Sequence, residues 1–99
     1  MTTELESKLF IQETPNFRAI YLYVKDDGAV KLSAQDMGPL VDDVWGDTDY
    51  EHWVEVQGKE VKQLVFALMR DKFQNMASAV DDFRAFCQVN GIAHEWDSW

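Results

Sequence analysis

The sequence predicts an α+β fold: an antiparallel sheet of about five strands, two helices packed on one face, and a short extra helix. Three observations carry this. Residues 17–25, FRAIYLYVK, are β-branched and aromatic-rich and apolar on both faces. Asp26-Asp27-Gly28 follows at once; it is a hairpin signal, because glycine supplies the positive φ such a turn needs, and hairpins make antiparallel neighbours. Residues 59–73 and 78–89 then repeat their apolar positions with a helical period. A chain of 99 residues, 46% hydrophobic and 13% aromatic, reads as one domain, residues 1–99, and not as a disordered segment.

The elements follow in order. Leu5 to Glu13 reads as a first strand centred on Leu9-Phe10-Ile11, closed by the turn Thr14-Pro15-Asn16. Phe17 to Lys25 is the second, with Phe17, Ala19, Tyr21 and Tyr23 on one face and Ile20, Leu22 and Val24 on the other. Apolar on both faces, it belongs in the middle of the sheet. Ala29 to Ala34 returns with Val30, Leu32 and Ala34 on one face and Lys31 and Ser33 on the other. Asp36 reads as the cap of a short helix from about Met37 to Trp45, with Pro39 in its first turn and Gly46 ending it. Tyr50 to Val56 alternates as a strand, with Glu51, Trp53 and Glu55 together on one face.

After Gly58, Lys59 to Phe73 reads as an amphipathic helix with Val61, Leu64, Val65 and Leu68 on its stripe. Ser78-Ala79-Val80-Asp81 resembles a capping box opening a second helix to about Val89, with Val80, Phe83, Phe86 and Cys87 inward. Asn90-Gly91 stops it, and Ile92 to Trp99 reads as a last strand.

The charge is concentrated. The net formal charge is −9, which repels phosphate-rich partners, so neither nucleic acid nor an anionic membrane is expected. The stretch Asp36–Glu55 holds Asp36, Asp42, Asp43, Asp47, Asp49, Glu51 and Glu55, and no Lys or Arg occurs between Lys31 and Lys59. Leu40, Val41, Val44, Trp45, Tyr50, Trp53 and Val54 interleave these acids, a pattern of an ordered surface and not of a solvated tail. Trp53 stands between Glu51 and Glu55 in the strand alternation; an indole flanked by carboxylates can stack on an Arg while the acids hold its guanidinium. The candidate partner-binding residues are therefore Asp42, Asp43, Asp47, Asp49, Glu51, Trp53 and Glu55, and the partner they fit is a basic protein. The bland reading is that acidity serves solubility and that Trp53 and Trp99 pack under the helices.

No catalytic signature stands beside this. His52 and His94 are the only histidines; with Asp49 they could form a two-His-one-carboxylate metal site if their strands were neighbours, but no ligand spacing supports it. Asp47-Thr48-Asp49-Tyr50-Glu51 begins like a calcium loop, yet His52 stands where the loop needs glycine and Gly58 where it needs a bidentate acid. Cys87, the single cysteine, lies in a helical pattern away from histidine and reads as a core thiol; with no disulfide to form, it fits a reducing cytoplasm. No G-x-S-x-G elbow or glycine-rich phosphate cradle occurs. The first ten residues carry no secretory signal pattern. No cofactor is implied.

The segments Asp36-Met37-Gly38-Pro39, Trp45-Gly46-Asp47-Thr48-Asp49-Tyr50-Glu51 and Gly91-Ile92-Ala93-His94-Glu95-Trp96-Asp97-Ser98-Trp99 resemble a family of small, acidic, mostly uncharacterised bacterial proteins. Its members share a D-hydrophobic-G-P, a G-x-x-D-Y-E and a C-terminal G-I…W ending, and the likeness covers about residues 17–99. Ala93 and His94 stand where the family pattern has proline and tyrosine. Small acidic proteins of this kind are often immunity partners of secreted bacterial toxins. The resemblance thus implies a non-catalytic cytoplasmic immunity protein that neutralises a basic, nuclease-type toxin. Two alternatives stand beside it: a small metal-binding protein or hydrolase using His52 and His94, and a homodimerising module in which Trp53 and Trp99 meet a second copy.

Overall fold

The computed structural model describes residues 4–14, 16–37 and 49–98. The fold is α+β, with a four-stranded antiparallel sheet followed by two helices. The chain divides into two compact units, residues 1–64 and 65–99, and each is taken by itself.

The first unit is a meander in the order β1-β2-β3-β4: β1 (Leu5–Gln12), β2 (Phe17–Val24), β3 (Val30–Met37) and β4 (Asp49–Val56). The doubly apolar run of β2 does lie inside the sheet, between β1 and β3. Register decides the faces. Pairs such as Leu5↔Val24, Phe10↔Ile20, Val24↔Val30, Leu22↔Leu32, Leu32↔Val54 and Val30↔Val56 collect the aliphatic side chains on one face. Pairs such as Glu6↔Tyr23, Tyr21↔Ser33, Ser33↔Trp53 and Gln35↔Glu51 collect polar and aromatic ones on the other. A one-residue slip would exchange the two sets.

Two features hold that register. At the β2–β3 turn, Lys25 N–H donates to the Ala29 carbonyl at 2.8 Å and Gly28 N–H to the Lys25 carbonyl at 2.9 Å. Gly28 sits at φ +89°, a conformation side chains resist, and Asp27 Oδ1 accepts the Ala29 N–H at 3.0 Å. Gly58 is drawn up against this turn. A Cβ there would lie 2.7 Å from the Asp27 carbonyl oxygen. At the opposite end, Arg18 and Asp36 are paired across the ladder, and the guanidinium grips the carboxylate with both prongs, at 2.5 Å and 2.9 Å. Asp36 is only 8% exposed, so a buried charge is satisfied by a forked donor. This corrects the expectation that Asp36 caps a helix. With Arg18 opposite, the aspartate stays in extended backbone, and β3 runs on to Met37. The remainder of the expected short helix, Gly38 to Trp45, lies outside the described residues.

After β4 a single 3-10 turn, Gly58–Glu60, leads into α1 (Val61–Phe73), and α2 (Ala79–Val89) follows. In the second unit Phe73 meets Phe83 edge-on at 5.7 Å, and Cys87, 3% exposed, is its buried thiol. Of the residues expected inward on α2, Val80, Phe83 and Phe86 are exposed at 73%, 40% and 43%. The capping box does not form: Ser78 Oγ donates to the Asp82 carboxylate at 2.8 Å and accepts no hydrogen bond from a backbone N–H. The last strand is also absent among the described residues. From Ile92 to Ser98 the chain is irregular, its polar groups taken locally. Ile92 N–H donates to the Cys87 carbonyl at 2.9 Å, the His94 ring bonds the Ile92 carbonyl at 2.8 Å, and the Arg84 guanidinium lies 4.4 Å from the Trp96 ring centroid.

Two variants test the register devices. Arg18→Met leaves Asp36 buried without its donor and should cost about 1–3 kcal/mol in urea unfolding; adding Asp36→Leu should recover most of it, whereas no recovery would mean that the ion pair contributes net stability. Gly58→Ala drives a methyl into backbone and should cost about 1–3 kcal/mol by the same measurement.

Candidate functional site

The polar face of the sheet carries the site. Glu6 of β1, Tyr21 and Tyr23 of β2, Lys31, Ser33 and Gln35 of β3, and Glu51 and Trp53 of β4 line a shallow depression of about 500 Å³. Strand alternation supplies these residues: positions two apart share a face, and the pairing of β1 up to Lys8 and of β2, β3 and β4 throughout brings them side by side.

The aromatic groups are arranged around cations. Tyr21 and Tyr23 stack with centroids 6.2 Å apart, and the Lys8 ammonium lies 5.9 Å from the Tyr21 ring. Lys31 sits between two rings, 5.9 Å from Tyr23 and 5.0 Å from Trp53. Each is a cation over a negative π face, worth about 0.5–1 kcal/mol at an exposed site. Trp53 nevertheless remains 58% exposed. Burial pushes the Tyr23 phenol above its ordinary 10.0, with Glu6, Tyr21 and Glu4 adding to the rise, while its hydrogen bond with Ser33 pulls the other way.

The acids differ from one another. Glu51 is exposed. Glu55 is half-buried and already engaged: Lys25 Nζ donates to it at 2.5 Å, and Gln57 donates to its second oxygen at 3.3 Å. The hydrogen bond from Lys25 holds the Glu55 carboxyl below its ordinary 4.5, and the same bond raises Lys25 above 10.5. Of the sequence-predicted residues, the structure therefore brings Glu51, Trp53 and Glu55 together on one face of β4. Asp49 opens β4, opposite Met37. Asp42, Asp43 and Asp47 lie outside the described residues.

Sequence reading missed the rest of this face. Tyr21, Tyr23, Lys31 and Ser33 fall in expected strands without a role, and Gln35 lies just past the expected end of the third; only the register shows that they share the surface with Trp53. Of the two histidines, His52 stacks on Tyr50 at 5.2 Å in β4, while His94 bonds the chain near its end. Among the described residues no group of three or more His, Cys, Asp or Glu is placed to hold a metal ion.

The Lys25–Glu55 pair sets a pH window. A depressed carboxyl stabilises the fold above about 4.5 and loses that contribution as pH falls through its folded value; the raised lysine contributes below about 10.5 and is lost as pH climbs through its own. In Lys25→Met the Glu55 midpoint, followed by NMR, should rise toward 4.5, and acid unfolding should become less steep. An unchanged midpoint would mean that the pair does not persist in solution.

Comparison with protein families, with curated proteins and with solved structures finds no match to this chain.

Proposed function

We propose that this chain is a non-catalytic binding protein that captures a basic protein partner on the polar face of its sheet. In this reading it is an immunity protein that neutralises a cationic, nuclease-type toxin in the cytoplasm of the cell that makes it. The observation that carries the reading is Trp53. It is 58% exposed, it lies in strand register between Glu51 and Glu55, and one cation, Lys31, already sits at its ring. A large indole left in water while an acid stands beside it is an anchor of the kind that dominates protein interfaces. An incoming arginine finds both a π face and a carboxylate there.

The chemistry of the partner follows from the field. A net charge of −9 steers a cationic surface inward and repels nucleic acid, so the acidic face stands in for the phosphates that a nuclease cleft is built to hold. Asp42, Asp43, Asp47 and Asp49 precede Glu51 directly in the chain and extend the acidic stretch toward β4. Because Glu55 is held by Lys25, it supports the platform more than it meets the partner. Glu51 and Trp53 are the residues that bind.

The test begins with the adjoining reading frame, whose product should be a secreted protein with a toxic, basic C-terminal domain; a purely housekeeping neighbour would count heavily against the toxin class. With that domain in hand, association should be one to one and should slow about tenfold on going from low to physiological salt. Glu51→Ala combined with Trp53→Ala should weaken binding at least ~10-fold, mostly through faster dissociation. The triple variant Asp47→Ala, Asp49→Ala and Glu51→Ala examines the acids alone; unchanged affinity in both variants removes this face from the mechanism.

A further inference from the structure

The two edges of the sheet are unlike. β1 and β4 are the outer strands. The β1 ladder is broken by a register shift between Lys8 and Phe10, and a bulge with a lysine at it is how soluble proteins blunt an edge against further pairing. β4 has neither device. It pairs with β3 without interruption from Asp49 to Val56, and it contains no Pro, Gly, Lys or Arg. Glu51, His52, Trp53 and Val54 are all exposed. Along Glu51–Val56 the alternate N–H and C=O groups that do not point to β3 face outward, and no strand among the described residues pairs with them. An unbroken edge of this kind is a template for one more strand.

We infer that the outer edge of β4 takes an extended, cationic segment of the partner as an added strand. Lys or Arg then stands beside Glu51 and Trp53 on one face, and branched apolar residues stand beside His52 and Val54 on the other. The inference rests on the proposed capture of a basic partner and specifies how the capture is made.

The occupant is chosen by charge. A second copy would add antiparallel about a two-fold axis normal to the sheet. The two registers that use most of the strand are centred on His52 and on Trp53. The first sets Asp49 opposite Glu55, and the second sets Glu51 opposite Glu55, twice over in each case. Lys25 offsets part of the charge on each Glu55, but acids directly opposite are still an unfavourable pairing, and two chains of net charge −9 repel before they meet. A strand with lysine or arginine at alternate positions reverses each of these terms. It also gives the π face of Trp53 a second cation, and the exposed Val54, 72% open, an apolar neighbour. Main-chain hydrogen bonds supply affinity, and the alternation supplies specificity.

The probe is a synthetic peptide of alternating arginine and valine, tested beside the same peptide N-methylated at alternate residues. Amide hydrogen exchange is read by NMR on the intact chain. The parent peptide should slow alternate amides within Glu51–Val56 about tenfold, and the N-methylated peptide should leave them unchanged. Glu51→Lys should weaken the arginine peptide about tenfold and favour one with glutamate in place of arginine. If the peptide moves the Trp53 indole resonance but leaves β4 exchange untouched, or if both peptides bind alike, the added strand is wrong while binding at the face stands. No response at either place overturns the added strand and leaves the face to be judged by the partner itself. Slowing of the same amides with protein concentration alone would show a second copy on the edge and overturn the inference.

Discussion

Register is the constraint on which the rest of the sheet depends. Toward the turn end of β2, β3 and β4, Ile20, Leu22, Val24, Val30, Leu32, Val54 and Val56 share one face and Tyr21, Tyr23, Lys31, Ser33, Trp53 and Glu55 the other, so the two faces exist only while the strands stay in step. The step is set at both ends of the β2–β3 hairpin. The Asp26-Asp27-Gly28 turn fixes one end, with Gly58 pressed against the Asp27 carbonyl. The Arg18–Asp36 fork fixes the other. A slipped ladder would part the guanidinium from its carboxylate and move Tyr21, Tyr23 and Trp53 to the aliphatic side. An ion pair whose carboxylate is buried adds little stability over an apolar pair of the same size, but a wrong pairing leaves that carboxylate without its donor. Here it is placed where a wrong pairing would dissolve the polar face.

The same arrangement sorts the acids. The chain holds 18 Asp and Glu against 9 Lys and Arg, and sequence alone treats them as one pool. The structure divides them. Asp36 is consumed by Arg18 and Glu55 by Lys25; these two hold the sheet and offer little to a partner. Glu51 remains exposed beside an exposed indole. The functional reading therefore narrows from a broad acidic platform to a short row on β4, with the tyrosines of β2 and Lys31 of β3 forming its floor.

How far the sequence could be read follows from which signals are local. The strand alternation, the DDG hairpin and the helical periods depend on neighbours within a few residues, and they placed four strands and two helices to within one to three residues. What depends on a distant partner was not legible. Asp36 carries the same local signals as a helix cap, and only Arg18, eighteen positions away, holds it in a strand. Ile92–Ser98 alternates like a strand, yet the Ile92 N–H turns back to the Cys87 carbonyl at the end of α2 and the His94 ring bonds the Ile92 carbonyl. The grouping of Glu51, Trp53 and Glu55 was readable from the period of two. The contribution of Tyr21, Tyr23, Lys31 and Gln35 to the same surface required the pairing.

The contrast between the two edges bears on why the tryptophan is where it is. An edge strand with Val54 and Trp53 open to water is an aggregation hazard, and the common remedy is a lysine or a bulge. β1 uses both, at Lys8. β4 uses acids in their place. Carboxylates guard an edge against copies of the same chain as well as lysines would, because every copy carries the same sign. They do not guard it against a cationic strand. On the proposed reading, the choice of sign disfavours self-pairing at this edge and favours a basic partner, and Lys31 sits at the indole in the meantime, 5.0 Å from its ring centroid.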